Sequence, residues 1–328
     1  MHKWKFVLRK NLLYLILALS AIAGLEAYLQ KARPDLHDPT YFQSLGEPLK
    51  QYAEDRELFW VHKTNYESMP NLIREAHSKH VVFVFGGSIA VGLAETMQTA
   101  LRADGLSIDC MNLGCGGYTS YQSLILLKRF LSVRIPEAAL VCNGYNDSRP
   151  AFMDYRAQAE LNGRFSRRAL FMMNKSRLFT LYRRFLLKTF AGNSIKDMKP
   201  TAQCVPLDQY KDNLREFAKT AKAKGAIPIM VTQAMPNRAD ELILVPYFQA
   251  MEEVAGQTGA AFVDVRPAFA KAMADAGLSQ VESYDNEAEF LKAASSLWGD
   301  SACHPSVAGY ALMGREVMKV MKEKGLWE

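Results

Sequence analysis

His80-Val81-Val82-Phe83-Val84-Phe85-Gly86-Gly87-Ser88 is the stretch on which the reading of this chain turns. Five apolar residues follow His80 without interruption, and two glycines stop them. A short run rich in β-branched and aromatic residues reads as a strand buried on both faces, the habit of parallel sheets. Residues 90–103 then read as a helix. The alternation continues downstream, with strands expected over 107–112, 138–143, 227–232 and 261–265. Helices are expected over 120–131, 210–224, 247–257 and 307–324. Strands separated by helices of this length predict an α/β fold, with about five parallel strands covered on both faces.

Composition agrees with a packed domain. Of 328 residues, 49% are hydrophobic and 23% charged, close to the globular norm. The net charge of +6 is a weak pull toward nucleic acid, and no nucleic-acid-binding motif accompanies it. Cys110, Cys115, Cys142, Cys204 and Cys303 include no C-x-x-C pair, which argues against a structural zinc site. No metal and no organic cofactor is expected.

Lys3, Lys5, Arg9 and Lys10 precede an apolar run over residues 12–25, the order that directs a chain out of the cytoplasm. Ala21-Ile22-Ala23 fits a cleavage site. Helical pattern through residues 26–30, and apolar residues at 6–8, favour instead an uncleaved single-span helix over about residues 6–25. The expected location is the inner membrane, with the remainder periplasmic or otherwise extracytoplasmic. Residues 1–30 are thus anchor or signal, 31–78 a linker with short helices, and 79–328 the main domain. Within that domain 149–205 is a basic helical insertion: twelve basic residues stand against three acidic ones in 149–200, interleaved with aromatics. It reads as a solvated face, a lid, or a surface for anionic lipid or polysaccharide.

Three expected strands end in polar, glycine-bearing turns: Gly86-Gly87-Ser88, Asn112-Leu113-Gly114-Cys115-Gly116-Gly117 and Gly144-Tyr145-Asn146-Asp147. Reactive groups collect at such carboxyl ends in parallel α/β sheets. Ser88 would open a helix, where backbone N–H groups favour developing negative charge. Gly117 offers another N–H, and Asn146 an amide. A serine among neutral donors suits acyl transfer, whose tetrahedral intermediate carries an oxyanion. Of six histidines, His304 follows the last strand, in Asp300-Ser301-Ala302-Cys303-His304-Pro305.

These four blocks, taken in order, resemble those of the SGNH/GDSL hydrolase family over roughly residues 80–320. The resemblance implies a flavodoxin-like, three-layer αβα fold. It also implies Ser88 as nucleophile, His304 as general base, and Ser88, Gly117 and Asn146 as oxyanion donors. Gly117 lies five residues after Asn112, as in the family block; Gly114 and Gly116 are close alternatives. Two departures stand out. Gly87 replaces the family's aspartate, and Asp300 lies four residues before His304 instead of three. Either a turn brings Asp300 to the imidazole, or His304 leans on a carbonyl in a Ser–His dyad. Cys303 reads as packing and Asp147 as structural.

The expected activity is serine-dependent hydrolysis of carboxylic esters, with acyl groups on an extracytoplasmic glycan as the substrate. An alternative is O-acetyl transfer to an exopolysaccharide beside a membrane acyltransferase partner. A third is a non-catalytic glycan-binding protein that retains the fold.

Overall fold

The computed structural model describes residues 2–32, 52–55, 57–76, 78, 80–151, 154–163, 176–178, 181, 202–278, 280–281, 294–300 and 303–326. The chain divides into two compact units. One comprises Met1–Pro48 with Gln158–Lys199, the other Leu49–Ala157 with Pro200–Glu328.

In the first unit, helix α1 covers His2–Ala32. Tyr14, Leu17, Leu19, Ile22 and Tyr28 on it are all more than half exposed. Glu26 accepts hydrogen bonds from the Ser176 hydroxyl and from the N–H groups of Arg177 and Leu178, at 2.7 to 3.0 Å. Among the described residues no helix is long and apolar enough to cross a membrane. The span expected over residues 6–25 is corrected accordingly. Arg9 and Lys10 interrupt it, and the unbroken run over 12–25 rises only about 21 Å, against a hydrocarbon core of about 30 Å.

The second unit opens with an antiparallel hairpin, β1 (Tyr52–Asp55) and β2 (Phe59–His62), followed by α2 (Lys63–Arg74). Residues 33–51 of the expected linker lie outside the described residues. Strand β3 (His80–Gly86) leads into α3 (Ser88–Ala103), β4 (Ile108–Asn112), α4 (Ser120–Phe130) and β5 (Ala138–Cys142). A short helix α5 (Tyr145–Ser148) and strand β6 (Pro150–Ala151) come next, then α6 (Tyr155–Gly163). Strand β7 (Ala202–Gln203) pairs antiparallel with β6. Of the expected basic insertion 149–205, residues 149–151, 154–163, 176–178, 181 and 202–205 are described, and the rest lies outside the described residues. Helix α7 (Leu207–Ala223), β8 (Ile227–Val231), α8 (Arg238–Thr258), β9 (Ala261–Val263), α9 (Arg266–Asp275) and α10 (Val307–Glu323) complete the unit.

The sheet is all-parallel, in the order β4-β3-β5-β8-β9. Alternate side chains of β3 feed opposite layers, as the two-residue pleat requires. Val82 and Val84 join Leu93 and Met97 of α3 and Met313 and Val317 of α10 in one apolar cluster. Phe83 and Phe85 point the other way, where the Phe85 ring meets Phe217 of α7 edge-on at 5.4 Å. Both phenylalanines are wholly buried, each contributing about 1.5–3 kcal/mol relative to an exposed position. Winding reverses between β3 and β5. A crevice therefore opens beyond their carboxyl ends, the place where such sheets bind ligands. Ser88 follows β3 and Asn146 follows β5.

Candidate active site

The turn that delivers Ser88 depends on two glycines. Gly86 has φ +147°, and a Cβ there would stand 2.3 Å from the Cys142 carbonyl oxygen. Gly87 caps α3, and Ser88 is the first helical residue. Its N–H belongs to the group that no helical carbonyl reaches, at the positive end of the helix dipole.

Ser88 Oγ lies 2.7 Å from His304 Nε2. The other ring nitrogen, Nδ1, contacts the Asp300 carboxylate. The second Asp300 oxygen accepts the N–H groups of Cys303 at 2.9 Å and His304 at 3.0 Å. Asp300 thus grips both the backbone and the ring of the turn that carries His304. This absorbs the four-residue spacing and favours the turn over the carbonyl-supported dyad. Partial burial raises the Asp300 carboxyl, but hydrogen bonds from the His304 ring and the two N–H groups outweigh it and hold the acid below its usual range.

On the opposite side stand the turns after β4 and β5. Asn112 Oδ1 takes the Gly114 N–H at 2.9 Å, and the Gly86 carbonyl takes that of Cys115 at 3.1 Å. Gly114, one of the alternatives for the donor glycine, therefore has its N–H engaged. Gly117 has φ +81°, a conformation that favours glycine. Asn146 donates its side-chain amide to the Tyr118 carbonyl at 3.0 Å. That amide lies over Gly87: a Cβ there would stand 2.4 Å from Asn146 Nδ2 and 3.2 Å from the Tyr118 oxygen. The structure thus brings Ser88, His304 and Asp300 into direct contact, and sets Asn146 and the loop carrying Gly117 beside Gly87.

The departure at position 87 has a physical reason here, because the amide occupies the space a side chain would need. Gly87→Ala is expected to push the Asn146 amide away and to lower kcat on an activated ester by about 10- to 100-fold, less than losing the donor outright. KM should change little, which steady-state kinetics on the purified variant would check.

Asp147 is fully buried and accepts the N–H groups of Ser120 at 2.9 Å and Gly144 at 3.0 Å. Burial pushes its carboxyl up to about 6, against the opposing pull of those hydrogen bonds. It ties the start of α4 to the turn after β5. All five cysteines are free thiols. Burial pushes those of Cys110, Cys115, Cys142 and Cys303 up to about 12, and that of Cys204 upward as well. Cys303, although next to His304, is buried and packed with Trp298 and Phe269 in the main core.

Sequence reasoning missed the hairpin and the residue it touches. Trp60 Nε1 donates to the Gly116 carbonyl at 3.3 Å, and the Tyr118 hydroxyl donates to the Trp60 carbonyl at 2.6 Å. The buried aromatic pair Phe59-Trp60 was the available signal, set in a stretch otherwise too polar to read as core.

Among solved structures the chain is similar to a catalytic mutant of Axe2, an acetylxylan esterase from Geobacillus stearothermophilus. Identity is 16%, coverage 74% of this chain and 94% of that one, and the TM-score 0.47. It is also similar to LAE5, an alpha/beta hydrolase enzyme from the metagenome of Lake Arreo, Spain, at 17% identity, 75% and 96% coverage and a TM-score of 0.47. For TesA the values are 18%, 76% and 100%, and 0.43. No curated protein matches the chain. The sequence profile of the GDSL-like Lipase/Acylhydrolase family matches residues 84–312, which begin inside β3 and take in Ser88, Gly117, Asn146 and His304. That match covers more than half of the chain, and the chain belongs to the GDSL-like lipase/acylhydrolase family.

Proposed function

We propose that the chain is a serine-dependent carboxylic ester hydrolase acting on short acyl groups, acetyl above all, carried by an extracytoplasmic glycan. One observation carries the ester chemistry: Ser88 Oγ at 2.7 Å from His304 Nε2, with the same ring held at Nδ1 by Asp300. In this reading His304 takes the Ser88 proton as Oγ attacks the ester carbonyl. The oxyanion is met by the N–H groups of Ser88 and Gly117 and by the Asn146 amide. Collapse expels the alcohol, which takes the proton back from His304. Water, activated by the same imidazole, then attacks the acyl-serine, and the acid leaves.

The substrate and the location rest on the N-terminal segment and the basic stretch 149–200. The basic start followed by an apolar run is the order of an export segment, and α1 presents apolar side chains outward. A domain exported from the cytoplasm meets acylated glycans, and the basic stretch 149–200 suits an acidic one.

The test is acetate release from an acetylated oligosaccharide and from 4-nitrophenyl esters of increasing acyl length, with added sugar acceptors in a parallel series. Ser88-dependent release that falls steeply beyond short acyl chains supports the reading. A preference for long acyl chains would overturn the glycan assignment. Transfer to the sugar in place of acetate release would make the chain an acyltransferase.

A further inference from the structure

The hairpin β1–β2 lies before the residues that match the family profile, yet it reaches the loop between β4 and α4 that carries Gly117. Its turn is unusual. Phe59 has φ +68°, the single non-glycine residue with positive φ among the described residues. A bulky residue in that region is strained and persists only where its surroundings over-determine it.

The surroundings do so here. Asp55 accepts the N–H groups of Glu57 and Leu58, both at 2.8 Å. Both Asp55 oxygens also accept the Arg129 guanidinium of α4 at 2.9 Å. The Phe59 ring stacks on Tyr121 at 5.8 Å and meets Tyr155 edge-on at 5.2 Å.

What the strained turn achieves is the placement of Trp60. Its indole N–H holds the Gly116 carbonyl on one side of Gly117, and its own carbonyl holds the Tyr118 hydroxyl on the other. The two rings pack at 5.7 Å. The Tyr118 carbonyl in turn holds the Asn146 amide, at 3.0 Å. Both donors assigned to the oxyanion besides Ser88 are therefore fixed by neighbours of one tryptophan.

We infer that Trp60 is a positioning residue for the oxyanion hole, clamping the Gly117 N–H through Gly116 and the Asn146 amide through Tyr118. The inference rests on the ester-hydrolase reading above. In the transition state the clamp stops the loop from relaxing as charge develops; substrate binding in the ground state needs no such restraint.

The experiment uses the full chain and two conservative variants. Trp60→Phe keeps a buried ring and loses the indole N–H; Tyr118→Phe loses only the hydroxyl. Active sites are counted by burst titration with a fluorophosphonate that labels Ser88. Then kcat per titrated site and KM are measured on 4-nitrophenyl acetate. The Ki of a trifluoromethyl ketone, which forms the tetrahedral oxyanion on Ser88, is measured alongside.

The expected result for each variant is about a 10-fold fall in kcat per site, KM within about twofold, and a Ki weakened in proportion to kcat/KM. Two results would overturn the inference: kcat per site within twofold of the parent in both variants, or losses confined to the titrated fraction and thermal midpoint. Absence of Ser88-dependent turnover in the parent chain would overturn the hydrolase reading and this inference together. Turnover in the parent with unchanged variants overturns this inference alone.

Discussion

Ser88→Ala is expected to lower kcat on an activated acetyl ester by on the order of a million-fold, to the background that binding and the remaining donors sustain. The size follows from the geometry. Removing Oγ removes the atom that bonds the acyl carbon, and leaves His304 Nε2 without the proton it is placed to accept at 2.7 Å. Among the described residues no neighbouring side chain is placed to substitute. The Cys303 thiol next to His304 is buried, and burial raises it to about 12, so it remains protonated and inert near neutral pH. The fold should survive, because the replacement removes a single oxygen from the start of a long helix whose other buried residues are untouched. The measurement is steady-state turnover alongside thermal unfolding. Equal turnover in parent and variant would refute the serine mechanism and leave the non-catalytic, glycan-binding reading in its place.

Asp300→Asn is expected to lower kcat by about 1,000-fold with KM little changed. Asp300 lies below the usual carboxylate range and stays ionised at neutral pH. As an acceptor for Nδ1–H it keeps the His304 proton on that nitrogen, leaving Nε2 free to accept from Ser88. It also stabilises the imidazolium once the proton has moved. An asparagine can preserve the two backbone contacts to Cys303 and His304, since its amide oxygen still accepts, while losing the charge. The variant therefore separates electrostatic support from the shape of the turn. Turnover within threefold of the parent would show that His304 works as half of a dyad.

The sheet was legible because buried parallel strands carry uninterrupted apolar runs that glycines terminate. All five expected strands form, each within two residues of its expected limits. Helix α8 was legible only in its second half. It starts at Arg238, nine residues before the expected Tyr247, because the Asn237 side chain caps it by accepting the Asp240 N–H. Pro246 inside the helix reads from sequence as a boundary, and the packing of Leu244, Tyr247 and Phe248 overrides that. The contact between Asp300 and His304 was hidden by spacing, since no count of residues reveals that one carboxylate serves two N–H groups and a ring at once. The hairpin was hidden more deeply. Its strands hold four residues each, one of them reads Tyr-Ala-Glu-Asp, and a left-handed phenylalanine has no sequence signature of the kind glycine or asparagine provides.

The five unpaired cysteines acquire a meaning from the proposed location. Outside the cytoplasm thiols meet oxidants and other exposed sulfhydryls, and an odd number of them invites coupling between chains. This fold forms no internal bridges; it withholds the sulfur instead. With their pKa values raised by burial in and around the sheet, the cysteines supply almost no thiolate, the species that exchange and oxidation require. On the proposed location, core packing is what shields Cys142 and Cys303, and a cavity-forming substitution beside either is expected to raise its reactivity toward a thiol reagent in the folded chain.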